Sequence, residues 1–254
     1  MTYDDIITNT QPKLLDIADA GILNEVLDST NFLIYGEIHG IKENADVIYT
    51  LVHKLGIERL AIENSPTIKP FIDAAAGGVY DFSLIDTDVF DSSILSVEMA
   101  KSIAVLLHEG TLQDVVYIDT YFDTPNIDSD DDTDSPQFRE QTLASNILNL
   151  DQSQRTLCIM GQWHTQSTPV KMSQRNTTIS EHLSTLYRIR QVMPGVPFVH
   201  NIYRSGTLFN DGREIKLPDN LQISNHYQVV KVSDTDFELQ TPFASHISIP
   251  SAIS

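Results

Sequence analysis

The stretch Phe32-Leu33-Ile34-Tyr35-Gly36-Glu37-Ile38-His39-Gly40 decides how this chain is read. Four apolar residues run into Gly36, and a carboxylate, an imidazole and a second glycine follow at once. A short apolar run bounded by glycine reads as a buried strand. Glu37 and His39 then fall just past its carboxyl end, where open α/β sheets hold their ligands. Asn44 to Lys54 has helical character and Gly56 supplies a stop. The unit is strand, glycine-flanked polar turn, helix.

The same unit recurs along the chain. Arg59 to Asn64 reads as a second strand, ending in the carboxylate Glu63, with Pro66 opening a helix towards Gly77-Gly78. Residues 79–91 read as an irregular connection. Ser92 or Ser93 can cap a helix running to about Leu107 and stopped by Gly110. Val115 to Asp119 is a third strand. Ser135-Pro136 opens the helix Gln137 to Leu150, and Thr156 to Gly161 is a fourth strand, followed by Gln162-Trp163-His164. Thr178-Ile179-Ser180-Glu181 has the form of a capping box opening a helix towards Tyr187. Beyond it the texture turns to β: Arg188 to Val192, Phe198 to Tyr203, a hairpin about Asn210-Asp211-Gly212, His226 to Val232 and Phe237 to Leu239. Residues 12–28 fit one or two short helices. Alternating strands and helices predict a mainly parallel central sheet flanked by helices. The 254 residues read as one α/β domain, with a core over about 12–187, an acidic loop over about 123–135 and a β-rich C-terminal part over about 188–254.

Composition narrows the function. Sixteen Lys+Arg against 35 Asp+Glu give a formal charge of -19, a field that repels phosphate backbones and anionic headgroups. Nucleic acid and membrane surfaces are therefore not expected partners. No uninterrupted apolar stretch is long enough to span a bilayer, the acidic start Met1 to Asp5 is unlike a signal peptide, and Cys158 is the single cysteine. A cytoplasmic protein is the expectation. The run Asp128 to Asp134 lacks the glycine and terminal glutamate of an EF-hand. Phosphate-binding glycine loops and the Gly-x-Ser-x-Gly elbow are missing from the sequence.

The residues able to do chemistry are those placed at strand ends. Glu37, His39, Glu63 and His164 each follow a strand, and a parallel sheet leaves such ends on one edge. Glu43 opens the next helix and Arg139 and Glu140 sit near the start of another. A histidine oriented by a carboxylate can act as a base, and Arg139 can stabilise an oxyanion. Alternatively Glu37, His39, Glu63 and His164 hold a divalent metal that activates water. Asp119 is a marginal candidate. Cys158, mid-strand, reads as core. His53, His108, His182, His200, His226 and His246 have no comparable partners.

Gly36-Glu37-Ile38-His39-Gly40 with Glu43, then Ala61-Ile62-Glu63, Arg139-Glu140-Gln141 and Gly161-Gln162-Trp163-His164, resembles the erythromycin esterase/ChaN-like superfamily, with its Tiki and TraB-like relatives. The match runs from about residue 30 to 165. The resemblance implies a parallel-rich sheet with a polar cleft at its carboxyl edge. The esterase branch hydrolyses a macrolactone with histidine and glutamates, the Tiki branch is a metal-dependent protease, and ChaN proteins bind haem. By motif the site becomes Glu37, His39, Glu43, Glu63, Arg139, Glu140 and His164. The expectations are a hydrolase of a small-molecule or peptide substrate with His39 as general base, a non-catalytic haem- or metal-binding protein, or a degenerate interaction module.

Overall fold

The computed structural model describes residues 2–91, 94–120, 136–174, 177–210 and 212–250. Within them lie helices α1 (Tyr3–Asn9), α2 (Ile22–Thr30), α3 (Glu43–Leu55), α4 (Lys69–Ala76), α5 (Asp88–Asp91), α6 (Val97–His108), α7 (Pro136–Leu148) and α8 (Thr185–Val192). The strands are β1 (Phe32–Glu37), β2 (Arg59–Ile62), β3 (Asp114–Tyr117), β4 (Thr156–Gly161), β5 (Val170–Gln174), β6 (Thr177–His182), β7 (Phe198–Tyr203), β8 (Gly206–Asn210), β9 (Arg213–Leu217), β10 (Gln228–Lys231) and β11 (Asp236–Thr241).

Seven strands form one sheet in the order β10-β11-β7-β1-β4-β2-β3. Every neighbouring pair is parallel except β10 with β11. β1 lies near the centre and all six of its residues are buried, because a strand covered on both faces needs apolar side chains in both directions. Leu33 and Tyr35 join the core built with α2, α3, α4 and α6. Phe32 and Ile34 face the other way, against Leu143 and Ile147 of α7 and Leu186 and Ile189 of α8. The expected α/β class and mainly parallel sheet are what the structure has. Helix α3 ends where Gly56 takes a left-handed conformation and its N–H bonds Val52 O.

The β-rich C-terminal part is not an appendage. β7 pairs directly with β1, and β11 and β10 continue the same sheet outward. The pairs β5–β6 and β8–β9 stand apart as two-stranded hairpins. Asp211, in the expected turn of the second, and the acidic stretch 123–135 lie outside the described residues, as do Ser92 and Ser93.

Three local expectations are corrected. The helix expected from Ser92 or Ser93 starts at Val97, where the Ser96 side chain accepts the Met99 N–H at 3.0 Å. Residues 178–182 belong to strand β6, not a helix. The helix comes later: Ser184 caps α8, accepting the Tyr187 N–H at 3.1 Å, so Arg188 to Val192 is helical rather than extended. Leu186 and Ile189, one helical turn apart, bury against α7, and this tertiary contact overrides the β-like composition. Among the described residues no helix is long and apolar enough to cross a membrane.

Candidate active site

β1 and β4 end level, with Glu37 opposite Gly161, and β2 ends beside them at Ile62. The backbone then continues so that Glu63 N–H bonds Ile159 O at 3.2 Å and Asp119 N–H bonds Asn64 O at 3.3 Å. Register alone thus gathers Glu37, Glu63, Asp119 and the Gly161–His164 turn at one edge.

Two glycines permit the close packing there. Gly40 has φ +80, and a Cβ on it would fall 1.7 Å from Phe209 O, so only glycine lets the β8–β9 hairpin rest its backbone on the turn after β1. A Cβ on Gly161 would sit 2.5 Å from His39 Nε2, so the missing side chain is where the imidazole lies.

Glu63 is the hub. Its Oε2 accepts the Gly161 N–H at 2.7 Å and faces His39 Nε2 at 3.7 Å. Its Oε1 accepts from Arg139 Nη2 at 2.8 Å and lies 3.0 Å from His164 Nε2. Burial opposes its charge, but the two imidazoles outweigh burial and hold Glu63 well below the usual carboxylate range. Arg139 also donates to Asp119 Oδ2 from Nε at 3.1 Å and from Nη2 at 2.6 Å, and its Nη1 approaches His164 Nε2 to 3.2 Å. Glu63 Oε1 bridges these two positive groups.

Each histidine lies between two carboxylates. His39 Nδ1 is 3.1 Å from Glu37 Oε1 and its Nε2 faces Glu63. Burial disfavours the imidazolium, yet the two glutamates win and its pKa is pushed up to about 10. His164 Nδ1 is 2.7 Å from Glu140 Oε1, and the same contest leaves it at about 9. Both are therefore cationic at neutral pH. Glu37 differs from Glu63: burial raises its pKa against the pull of His39, and its Oε2 has no hydrogen-bond partner in the protein. A cavity of about 20 Å³ beside Glu37, His39 and Glu63 has room for one water.

Above this floor opens a cleft of about 500 Å³. Its lining combines Glu37, His39, Glu63, Arg139 and His164 with Ile38, Ile94, Leu208, Ile215 and Trp163. His39 is the more accessible imidazole, its side chain 23% exposed against 6% for His164. The sequence-derived set thus converges with two qualifications. Glu140 stands behind His164 and does not line the cleft. Glu43 turns away, holding the C-terminal segment through the Ser245 N–H at 2.7 Å and the Ser245 hydroxyl.

Other participants were not singled out in the sequence. Glu140 Oε2 accepts the Thr185 N–H at 2.6 Å and the Thr185 hydroxyl at 2.7 Å. His182, set aside as lacking partners, has Nε2 3.2 Å from Glu140 Oε1 and Nδ1 3.1 Å from Gln137 Nε2, and the Trp163 ring covers it at 4.8 Å. Asp119, marginal in the sequence, anchors Arg139. Cys158 is buried mid-strand and burial raises its thiol pKa, which suits core and not a nucleophile.

The donor set does not fit a metal ion. Among the described residues no three His, Cys, Asp or Glu side chains are disposed to share one. Both imidazoles have each ring nitrogen against a carboxylate, and the Arg139 guanidinium stands among Glu63, Asp119 and His164. Coordination by His39 or His164, to a divalent ion or to a haem iron, requires breaking those pairs.

No protein family matches the chain, and no curated protein matches it. Solved structures with a similar course of chain include RRSP, a MARTX toxin effector domain from Vibrio vulnificus CMCP6, at 16% identity and a TM-score of 0.44, over 86% of this chain and 40% of that one. The type III effector HopBA1 matches at 14% identity and 0.44, over 79% and 91% of the two chains. The C-terminal region of Pasteurella multocida toxin, described as having a thiol-protease like catalytic triad, matches at 11% and 0.46, over 86% and 28%. This chain thus spans less than half the length of the first. All three similarities fall below a TM-score of 0.5, and the chemistry of the cleft rests on its own residues.

Proposed function

We propose that this protein is a hydrolase that adds water to an ester, amide or related bond of a small-molecule or peptide substrate, and that it is a member of the erythromycin esterase/ChaN-like superfamily. The observation that carries the reading is the Glu37–His39–Glu63 row opening onto the cleft, with Arg139 and His164 beside it.

The protonation states reassign the roles expected from sequence. With a pKa of about 10, His39 is protonated at neutral pH and is a poor base in the resting site. It is a good proton donor. Glu37 has the complementary properties, a raised pKa and an unpartnered Oε2 beside room for one water. In the proposed reaction Glu37 takes a proton from that water as its oxygen bonds the substrate carbonyl carbon. Arg139 and His164 stabilise the negative oxygen that develops. The bond to the leaving group breaks as His39 gives its proton to the departing atom. Exchange with solvent in the cleft returns a proton to His39 and removes one from Glu37. Placing a raised-pKa carboxylate next to a cationic imidazole separates acid from base within one site.

The test is a panel of esters, amides and phosphoesters. Wild type is expected to turn over a member of the panel, and His39→Ala and Glu37→Gln to lose that activity. His39→Ala turning over the same compound at the wild-type rate sinks the reading. The pH profile then assigns the roles: kcat/KM falls as pH rises through about 10 if His39 is the acid, and climbs towards 10 if it is the base.

A further inference from the structure

Trp163, the single tryptophan of the chain, lines the cleft and is 48% exposed, although so large an aromatic side chain is ordinarily well buried. It is nonetheless held in place. Its ring packs on the His182 imidazole, with centroids 4.8 Å apart and planes inclined by 33°. His182 is buried, with Gln137 Nε2 at 3.1 Å and Glu140 Oε1 at 3.2 Å, so it gives the indole a fixed backing. The turn that carries Trp163 is fixed as well. Gln162 Nε2 donates to Asn201 O at 2.8 Å, and Gln162 O accepts from Thr165 Oγ1 and Gln166 Nε2, each at 3.0 Å. The indole is thus a positioned ring with much of its surface accessible from the cleft.

Three half-buried isoleucines line the same cleft: Ile38 after β1, Ile94 before α6 and Ile215 of β9. Ile38 and Ile215 pack on the small cluster of Ile41, Tyr203, Leu208 and Ala244, so the β8–β9 hairpin seated on Gly40 also sets this part of the wall. A volume of about 500 Å³ with a mainly apolar lining and a few convergent polar groups is the usual form of a small-molecule site. Trp163 precedes His164 in the chain, so the exposed ring begins next to the group assigned to the developing oxyanion.

These features select a substrate class. An aliphatic group gains only the apolar area it buries against the isoleucines and the indole. A flat ring buries comparable area and adds the stacking of two aromatic faces, on an indole whose ordering is already complete before binding. We propose that the substrate is an ester or amide carrying an aromatic ring a few bonds from the carbonyl that is attacked, the ring stacking on Trp163 among Ile38, Ile94 and Ile215. The identity of the bond rests on the hydrolase reading; the ring rests on the wall of the cleft.

The experiment compares 4-phenylbutan-2-one with 4-cyclohexylbutan-2-one, two ketones of similar size that have a carbonyl and no bond to hydrolyse. Because Trp163 is the only tryptophan, its emission reports occupancy of the cleft, and calorimetry gives the affinity in variants. The phenyl ketone is expected to bind saturably, to change the emission, and to bind about three-fold or more tighter than the cyclohexyl ketone. A wall that reads apolar area alone gives the cyclohexyl ketone equal or tighter binding. Trp163→Leu keeps an apolar side chain without the flat ring and should abolish the preference. Ile215→Ala should weaken both ketones alike. No saturable binding of the phenyl ketone up to about 2 mM overturns the proposal, as does the reverse order of the two ketones or a preference that survives in Trp163→Leu. Should Trp163→Leu not fold, the order of the two ketones on wild type decides. Ketone selectivity without turnover of any ester or amide would remove the hydrolase reading, whereas turnover without ketone selectivity would remove this one.

Discussion

Glu63 divides the site into two halves of the same composition and different condition. On one side, carboxylate, imidazole and carboxylate run Glu37–His39–Glu63; on the other they run Glu140–His164–Glu63. The His164 half is closed. Thr185 holds Glu140 through two bonds, His182 backs it, and Trp163 lies over His182. The His39 half is open. Its imidazole faces the cleft, its contact with Glu63 is longer, and Glu37 keeps one oxygen unpartnered. A satisfied pair of this kind fixes geometry, while a pair with a spare acceptor and solvent access can exchange protons. In the proposed reaction the His39 half exchanges the protons, while the His164 half holds a fixed positive group at the cleft wall.

The sharpest way to break that division is at the shared residue. Glu63→Gln removes the one counter-charge that His39, Arg139 and His164 share. Because stripping one partner from a buried charge cluster typically costs ~3–5 kcal/mol, urea denaturation should show a loss of that order, along with lost turnover. Substitution of each imidazole then separates the halves. His39→Gln keeps a donor near Glu37 and should lower kcat/KM by about 10²–10⁴-fold, the usual range for a lost acid or base. Its stability loss should be smaller than that of His164→Gln, which leaves Glu140 and Glu63 facing each other across a buried gap. The reverse order of stabilities would mean the open half is the structural one.

The open half was readable in the sequence because it is local. Glu37 and His39 are two residues apart, and a strand followed by glycine says where they point. Convergence with Glu63 and His164 followed from parallel-sheet logic, since strands entering from one side finish on one edge. The closed half was less legible because its bonds are long-range and end on ordinary residues. Thr185 reaches Glu140 across 45 positions, and Asp119 reaches Arg139 across 20. A threonine at a helix start and an aspartate after a strand carry no mark of such a partner. Composition also misled at 178–192, where the better cap, Ser184, lies six residues beyond the one the motif favoured. The C-terminal strands were seen as β but not as neighbours of β1, because pairing partners are set by topology and not by local pattern.

Stability should follow the charge states of both halves. His39 and His164 have folded pKa values of about 10 and about 9 against 6.5, so their contribution is complete below 6.5 and is lost as pH rises through 9 to 10. Glu63 and Glu140 are depressed below 4.5, so theirs is present above 4.5 and is lost as pH falls through the lowered values. Glu37, raised, loses stability as pH climbs from 4.5 through its raised value. Thermal melts should therefore peak between about 4.5 and 6.5 and fall steadily towards pH 10. A flat profile from 6 to 10 would mean the imidazoles are not paired as described. Within the closed half, Thr185→Val deletes one donor to Glu140 and keeps the backbone one. A cost of ~1.5–3 kcal/mol in stability is expected for the lost bond to a charged group, Oε2 still accepting the backbone N–H, with activity less affected than in His39→Gln.

The smallest expected effect is the most informative about kinship. The resemblance assigns Glu43 to the catalytic set, whereas here its carboxylate holds Ser245 and so ties the C-terminal segment to the turn that carries His39. That segment also bonds Gly40 O through the Ile247 N–H at 3.1 Å. Glu43 therefore supports the open half from outside, by fixing the backbone beneath the imidazole. Glu43→Gln retains an acceptor for the Ser245 N–H and should change kcat/KM by less than about 3-fold, against the 10²-fold or more of a true acid or base. Its pH profile should keep the wild-type shape, because no titrating group of the reaction has been removed. A loss as large as that of His39→Gln, with an altered pH profile, would move Glu43 into the cleft during turnover and make the open half a three-carboxylate centre.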